Sequence, residues 1–99
     1  MLGQKSAPRR ISYTFRAKGR GKLKTFFYSF TDTPNARAKH GYDRRFNKNR
    51  DGALFELSDD WKSFTEDFEI PANETVGLAF SLSGKGSEAW VDDVSVSLK

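Results

Sequence analysis

The sequence predicts an all-β fold, and three observations carry that prediction. Apolar and polar residues alternate with period two in several short stretches, turn signals rich in Gly, Pro and Asn separate those stretches at short spacing, and no segment makes a convincing helix. Nine Phe against one Met and no Cys point to a rigid, aromatic-filled core. Six strands at this spacing make a sandwich or a barrel.

The elements follow in order. RISYTFRA (10–17) places Ile11, Tyr13 and Phe15 on one face and Ser12, Thr14 and Arg16 on the other. KGRG (18–21) reads as a tight turn. KLKTFFYSF (22–30) resumes the strand, with Lys24, Phe26, Tyr28 and Phe30 on one side and Leu23, Thr25, Phe27 and Ser29 on the other. Residues 31–52 show no clean period and read as a long basic loop, a length that usually marks function or disorder. ALFEL (53–57) is a short strand and SDDW (58–61) a turn. WKSFTEDFEI (61–70) aligns Phe64, Glu66, Phe68 and Ile70, and PANE (71–74) ends it. TVGLAFSLS (75–83) alternates Val76, Leu78, Phe80 and Leu82 with small residues. GKGSE (84–88) turns the chain into AWVDDVSVSL (89–98).

Ninety-nine residues make one domain, 1–99, with a structured core over 10–98 and room for a single modest core. Without Cys there is no disulfide, thiolate metal site or cysteine nucleophile. No apolar run reaches membrane-spanning length, and the opening MLGQKSAPRR lacks the hydrophobic stretch of a signal peptide. Charge is divided unevenly: residues 1–50 hold fourteen Lys and Arg against two acids, or +12, whereas residues 51–99 hold three Lys against eleven acids, or −8. If the halves interleave, these charges neutralise each other across strands.

Three segments together resemble the C-terminal part of jelly-roll carbohydrate-binding modules, the galactose-binding-like sandwiches. They are YTFRAKGRGKLKTFFYSF, LFELSDDWKSFTEDFEIP and GSEAWVDDVSVSL, in that order over roughly residues 10–98. The resemblance implies a jelly-roll β-sandwich that starts near the family's middle and lacks its N-terminal strands, as an excised fragment, a truncated product or a module completed by another chain. It also implies a non-catalytic module of a longer, extracellular or periplasmic, glycan-active protein, with no membrane contact. Its ligand would be a polysaccharide or oligosaccharide, acidic or of plant or algal origin.

In strict alternation Trp90, Asp92, Val94, Val96 and Leu98 share one face of the last strand, and Asp92 interrupts an otherwise apolar row. A carboxylate on a core-facing row is costly unless it is paired or binds a metal. The resemblance implies that Asp92 helps hold a structural calcium. The residues alone favour the simpler reading, in which Asp92 caps backbone N–H groups or pairs with a basic residue.

Sugar recognition needs flat aromatic faces for C–H surfaces and planar polar groups for hydroxyls. Tyr28, with Phe26 or Phe30, and Tyr42 in the basic loop are the aromatic candidates; Arg16, His40 and Arg44 are the polar ones. The loop also holds Arg37, Lys39, Arg45, Lys48 and Arg50. Arg forks bind carboxylate or sulfate bidentately, which favours a uronate or sulfated polymer. Trp61 and Trp90 are expected in the core. Glu66 is expected at an edge or beside a partner from the basic half.

Two other functions compete. A structural sandwich with no ligand would make Tyr28 and Tyr42 dispensable for binding. Basic residues interleaved with aromatics, as in RAKGRGKLKTFFYSF, also suit a single-stranded nucleic acid, against which the acidic second half would act. An enzyme is not expected: no two carboxylates are placed across a cleft, and His40 lacks a nucleophile pattern.

Overall fold

The computed structural model of the chain describes residues 2–99 and shows strands and no helix among them. Four strands form one antiparallel sheet: β1 (Arg9–Pro34), β2 (Tyr42–Glu56), β3 (Lys62–Ile70) and β4 (Thr75–Leu98). β1 is the middle strand throughout. One of its edges carries β4 along nearly its whole length, from Phe30↔Thr75 to Ile11↔Leu98. The other edge is divided between β3, opposite residues 9–17, and β2, opposite residues 22–34.

A straight strand of this length would reach roughly 85 Å at about 3.3 Å per residue. The longest dimension of the molecule is 49 Å, so β1, with its 26 residues, must fold over. It does so at Lys18-Gly19-Arg20-Gly21, where Gly19 and Gly21 take φ of 144° and 104°. β4 bends opposite this point, inserting Gly84–Ser87 between the pairs Lys22↔Ser83 and Arg20↔Glu88. Gly19 is needed for a second reason: a Cβ there would stand 2.0 Å from the Glu88 carbonyl oxygen. The bend is tied down by Gly19 N–H donating to Ser58 O at 2.7 Å and Leu57 N–H donating to Gly21 O at 3.0 Å.

Folding the sheet on itself makes a sandwich-like fold of two layers. The first layer holds β3, residues 9–17 of β1 and the end of β4; the second holds β2, residues 22–34 of β1 and the start of β4. Ile11, Tyr13, Phe15 and Ala17 from one half of β1 meet Leu23, Thr25 and Phe27 from the other, and all are buried. Phe27 stacks on Phe68 with ring centroids 3.9 Å apart, and Phe15 meets Phe55 and Phe80 edge-on at 5.2 Å each. Each such side chain contributes about 1.5–3 kcal/mol by leaving water.

Two sequence expectations are corrected here. KGRG does not turn the chain into a hairpin: residues 10–17 and 22–30 are one strand whose halves face each other across the core. The stretch 31–52 is not a long loop, because Thr31–Pro34 ends β1, Tyr42 starts β2, and only residues 35–41 connect them. Register shifts between Lys24/Phe26 and Ser29/Phe30 exchange the faces of β2, which removes the period that would have shown a strand.

The same physics revises the last strand. Thr14 pairs with Ser95 but Arg16 pairs with Asp92, so β4 has one extra residue there, with Asp93 at φ 54°. This bulge puts Trp90 and Asp92 on the outward side, with Lys18 and Arg16. Val94, Val96 and Leu98 fall on the side of Ile11 and Tyr13, yet they remain exposed. Asp92 does not interrupt the apolar row; the row begins after it.

Candidate functional site

The outward face of the second layer carries an aromatic row. Phe26, Tyr28 and Phe30 succeed one another along β1, and cross-strand pairing sets Ala79, Gly77 and Thr75 of β4 directly beside them. Large rings on one strand against small residues on the next leave a trough beside Phe26 and Tyr28, whereas Thr75, beside Phe30, is buried. Phe26 and Tyr28 meet edge-on at 5.2 Å, and the Tyr28 ring is 42 % exposed. Phe26 and Phe30 are half-buried on this face and take no place in the core between the layers.

Polar groups line the row. Asn49 pairs with Tyr28 and Asp51 with Phe26 on the β2 side, while Ser81 pairs with Lys24 on the β4 side. A cavity of about 250 Å³ opens among Lys24, Phe26, Asn49, Asp51 and Ser81. Lys24 Nζ stands 2.8 Å from Asp51 Oδ1 and holds the Asp51 carboxyl below its usual range. At the other end Arg44 donates to both Asp32 oxygens, at 2.8 and 3.0 Å, with its guanidinium over the rings of Phe30 and Tyr42 at 5.3 and 5.1 Å. This fork keeps Asp32 ionised well below the ordinary carboxylate value. The His40 ring lies 6.2 Å from Tyr42.

Tyr28, Tyr42, His40 and Arg44 therefore lie along one layer. Arg16 does not join them. It sits on the outward face of the first layer, over the Trp61 ring at 5.4 Å and 3.7 Å from Asp93.

Trp61 and Trp90 are not core residues. Their exposures are 39 % and 52 %, and both stand on the first layer's outward face with the Lys18 ammonium 5.2 and 5.6 Å from their ring centroids. The sequence signal that misplaced Trp90 was its alternation with Val94, Val96 and Leu98, which the Asp93 bulge breaks. Nearby, Lys18, Gly19, Arg20, Asp59, Glu88 and Trp90 line a solvent-open cavity of about 220 Å³.

No family model, curated protein or solved structure matches the chain. The chemistry is therefore read from the residues alone.

Asp92 is exposed, and its Oδ1 accepts the N–H of Asp93 at 2.8 Å, one of the roles its sequence position allowed. Calcium takes six to eight oxygen ligands. Among the described residues no three His, Cys, Asp or Glu side chains gather as a metal group. Glu66 is exposed on β3, which pairs only with β1, in keeping with an edge position.

The two charge-rich halves do interleave. Arg16–Asp93, Arg20–Glu88, Lys24–Asp51 and Arg50–Glu74 each join a base from the first half to an acid from the second. The Arg50–Glu74 pair is the most enclosed: Glu74 is buried, takes both guanidinium N–H groups at 2.7 and 2.6 Å, and accepts a third bond from Ser29 Oγ. The Arg50 fork holds Glu74 below its ordinary value against the opposing effect of burial.

Proposed function

We propose that this domain is a non-catalytic carbohydrate-binding module of a secreted, multi-domain protein, built as a jelly-roll sandwich, which holds an extended polysaccharide along the trough of the second layer. The observation that carries the reading is the row Phe26, Tyr28 and Phe30 beside Ala79, Gly77 and Thr75. Alternate residues of a strand are about 6.6 Å apart, so the row offers a succession of flat apolar surfaces over roughly 13 Å. Sugar rings stack on such faces, while Asn49, Asp51, Ser81 and Lys24 supply acceptors and donors for hydroxyls.

The Tyr42 end sets the preference. Arg37, Lys39 and His40 are exposed in the connection that leads into Tyr42, which favours a glycan with carboxylate or sulfate groups. A single-stranded nucleic acid, with a charge on every residue, would carry one past Asp51 at the Phe26 end of the row, whereas a glycan charged at intervals can set its anionic groups at the Tyr42 end.

Native affinity electrophoresis tests the reading. Gels containing neutral or acidic polysaccharides are run at one salt concentration, with a single-stranded nucleic acid as competitor. Retardation by one polysaccharide, unrelieved by the competitor and lost in Tyr28→Ala, is the expected result. Free migration through every polysaccharide, or capture by the nucleic acid alone, overturns it.

A further inference from the structure

The trough leaves the tryptophan face of the first layer unexplained. An indole is among the most valuable side chains to bury, and an exposed large apolar patch is the informative exception on a protein surface. Here two exposed indoles share one cation: Trp90 pairs with Lys18, and the Lys18 ammonium reaches both rings. We propose that the cavity beside Trp90 is a second saccharide site, a solvent-open pocket for one neutral pyranose. The inference rests on the reading of the domain as a saccharide binder, and it makes the module bivalent, with one site on each layer.

Three features select that ligand. The cavity of about 220 Å³ is smaller than pockets for drug-sized molecules, which hold roughly 300–1,000 Å³, so it suits a single ring. Its walls mix acceptors and donors around one aromatic face: Asp59 and Glu88 carboxylates, Lys18 and Arg20 cations, and the Trp90 indole. A pyranose presents the matching pattern, an apolar C–H face rimmed by hydroxyls that both donate and accept. The charges of the lining balance, Asp59 and Glu88 against Lys18 and Arg20, and Arg20 is already paired with Glu88, so a neutral ring suits the cavity better than an anion.

The placement also supplies its own reporter. Both tryptophans of the chain stand on this face and neither stands on the trough, so tryptophan emission reads the pocket. The purified domain is titrated with the methyl glycosides of glucose, galactose, mannose and xylose. The expected result is a saturable emission change with at least one of them, unaltered in Tyr28→Ala. In Asp59→Asn, an exposed substitution, the affinity falls roughly tenfold for the loss of one charged hydrogen bond while the melting temperature holds.

Silence with all four glycosides overturns the pocket, as does a response that Tyr28→Ala abolishes. The two readings fail separately: emission silence beside Tyr28-dependent gel retardation removes the pocket alone. A glycoside response beside free migration in every gel removes the trough alone.

Discussion

The Tyr13 hydroxyl stands 2.7 Å from Thr25 Oγ1, although the two residues belong to one strand and lie twelve positions apart. That contact exists because β1 doubles back on itself, and it joins the layers where both partners are fully buried. Thr25 Oγ1 also accepts Ala53 N–H at 2.9 Å, so a single oxygen ties three segments together. Burial raises the Tyr13 pKa above that of a free phenol, which keeps the group neutral.

This geometry makes the two partners unequal. Tyr13→Phe removes one hydroxyl and leaves Thr25 with its bond to Ala53, at a cost of about 1 kcal/mol. Thr25→Val strands both the Tyr13 hydroxyl and the Ala53 N–H, and should cost about 2–3 kcal/mol. Urea unfolding of the two variants measures the difference; equal losses would mean that the bridge is not where the stability resides.

Gly19→Ala should be among the most damaging single changes. It combines a left-handed backbone position with a Cβ that meets the Glu88 carbonyl of the neighbouring strand. A loss of at least about 2 kcal/mol is expected. A melting temperature within a degree of the parent would show that β1 does not fold over at this point.

Acid should weaken the domain through the enclosed pair. Glu74, Asp32 and Asp67 all have folded pKa values below their ordinary ones, so their stabilisation is complete above the ordinary carboxylate range. It is lost as pH falls below about 4 and through the depressed values. The melting temperature should be flat from neutral pH to about 5 and then decline. Glu74→Gln should cost about 2 kcal/mol at neutral pH and flatten part of that decline. An unchanged acid slope in this variant would exclude Glu74 as its source.

Ala79→Leu tests the trough without touching its rings. Ala79 pairs with Phe26 on the outward face, and a larger side chain would fill the space beside the aromatic row. Gel retardation by the polysaccharide should disappear while unfolding shifts by no more than about 0.5 kcal/mol, as for other surface changes. Undiminished retardation would place the ligand elsewhere.

The strands were legible wherever period two survives. Residues 10–17, 22–30, 62–70 and 75–83 alternate in the sequence and are strand in the structure. What escaped were the irregular places. A Gly-x-Gly segment serves equally for a reversal and for a fold in a continuous strand, and only the pairing partners distinguish them. Bulges in β2 and at Asp93 exchange faces mid-strand, so strict alternation hid the strand after Tyr42 and buried Trp90 on paper. The candidate site was half visible: Tyr28, Tyr42, His40 and Arg44 share a layer, while Asn49, Asp51 and Ser81 enter only through cross-strand register. Sequence spacing cannot supply that register.

β1 is hydrogen-bonded to every other strand, whereas β2, β3 and β4 are not strand partners of one another. Such a hub has a kinetic cost. The first strand of the domain to be made closes a local hairpin only with β2, across residues 35–41, and its longest partner is the last strand made, pairing Ile11 with Leu98 and Ser29 with Val76. Contacts of such sequence separation form slowly and late. Until Thr75–Leu98 is made, one whole edge of β1 lacks its partner, so the sheet is completed only at the end of the domain, and that edge is open to pairing with another chain until then.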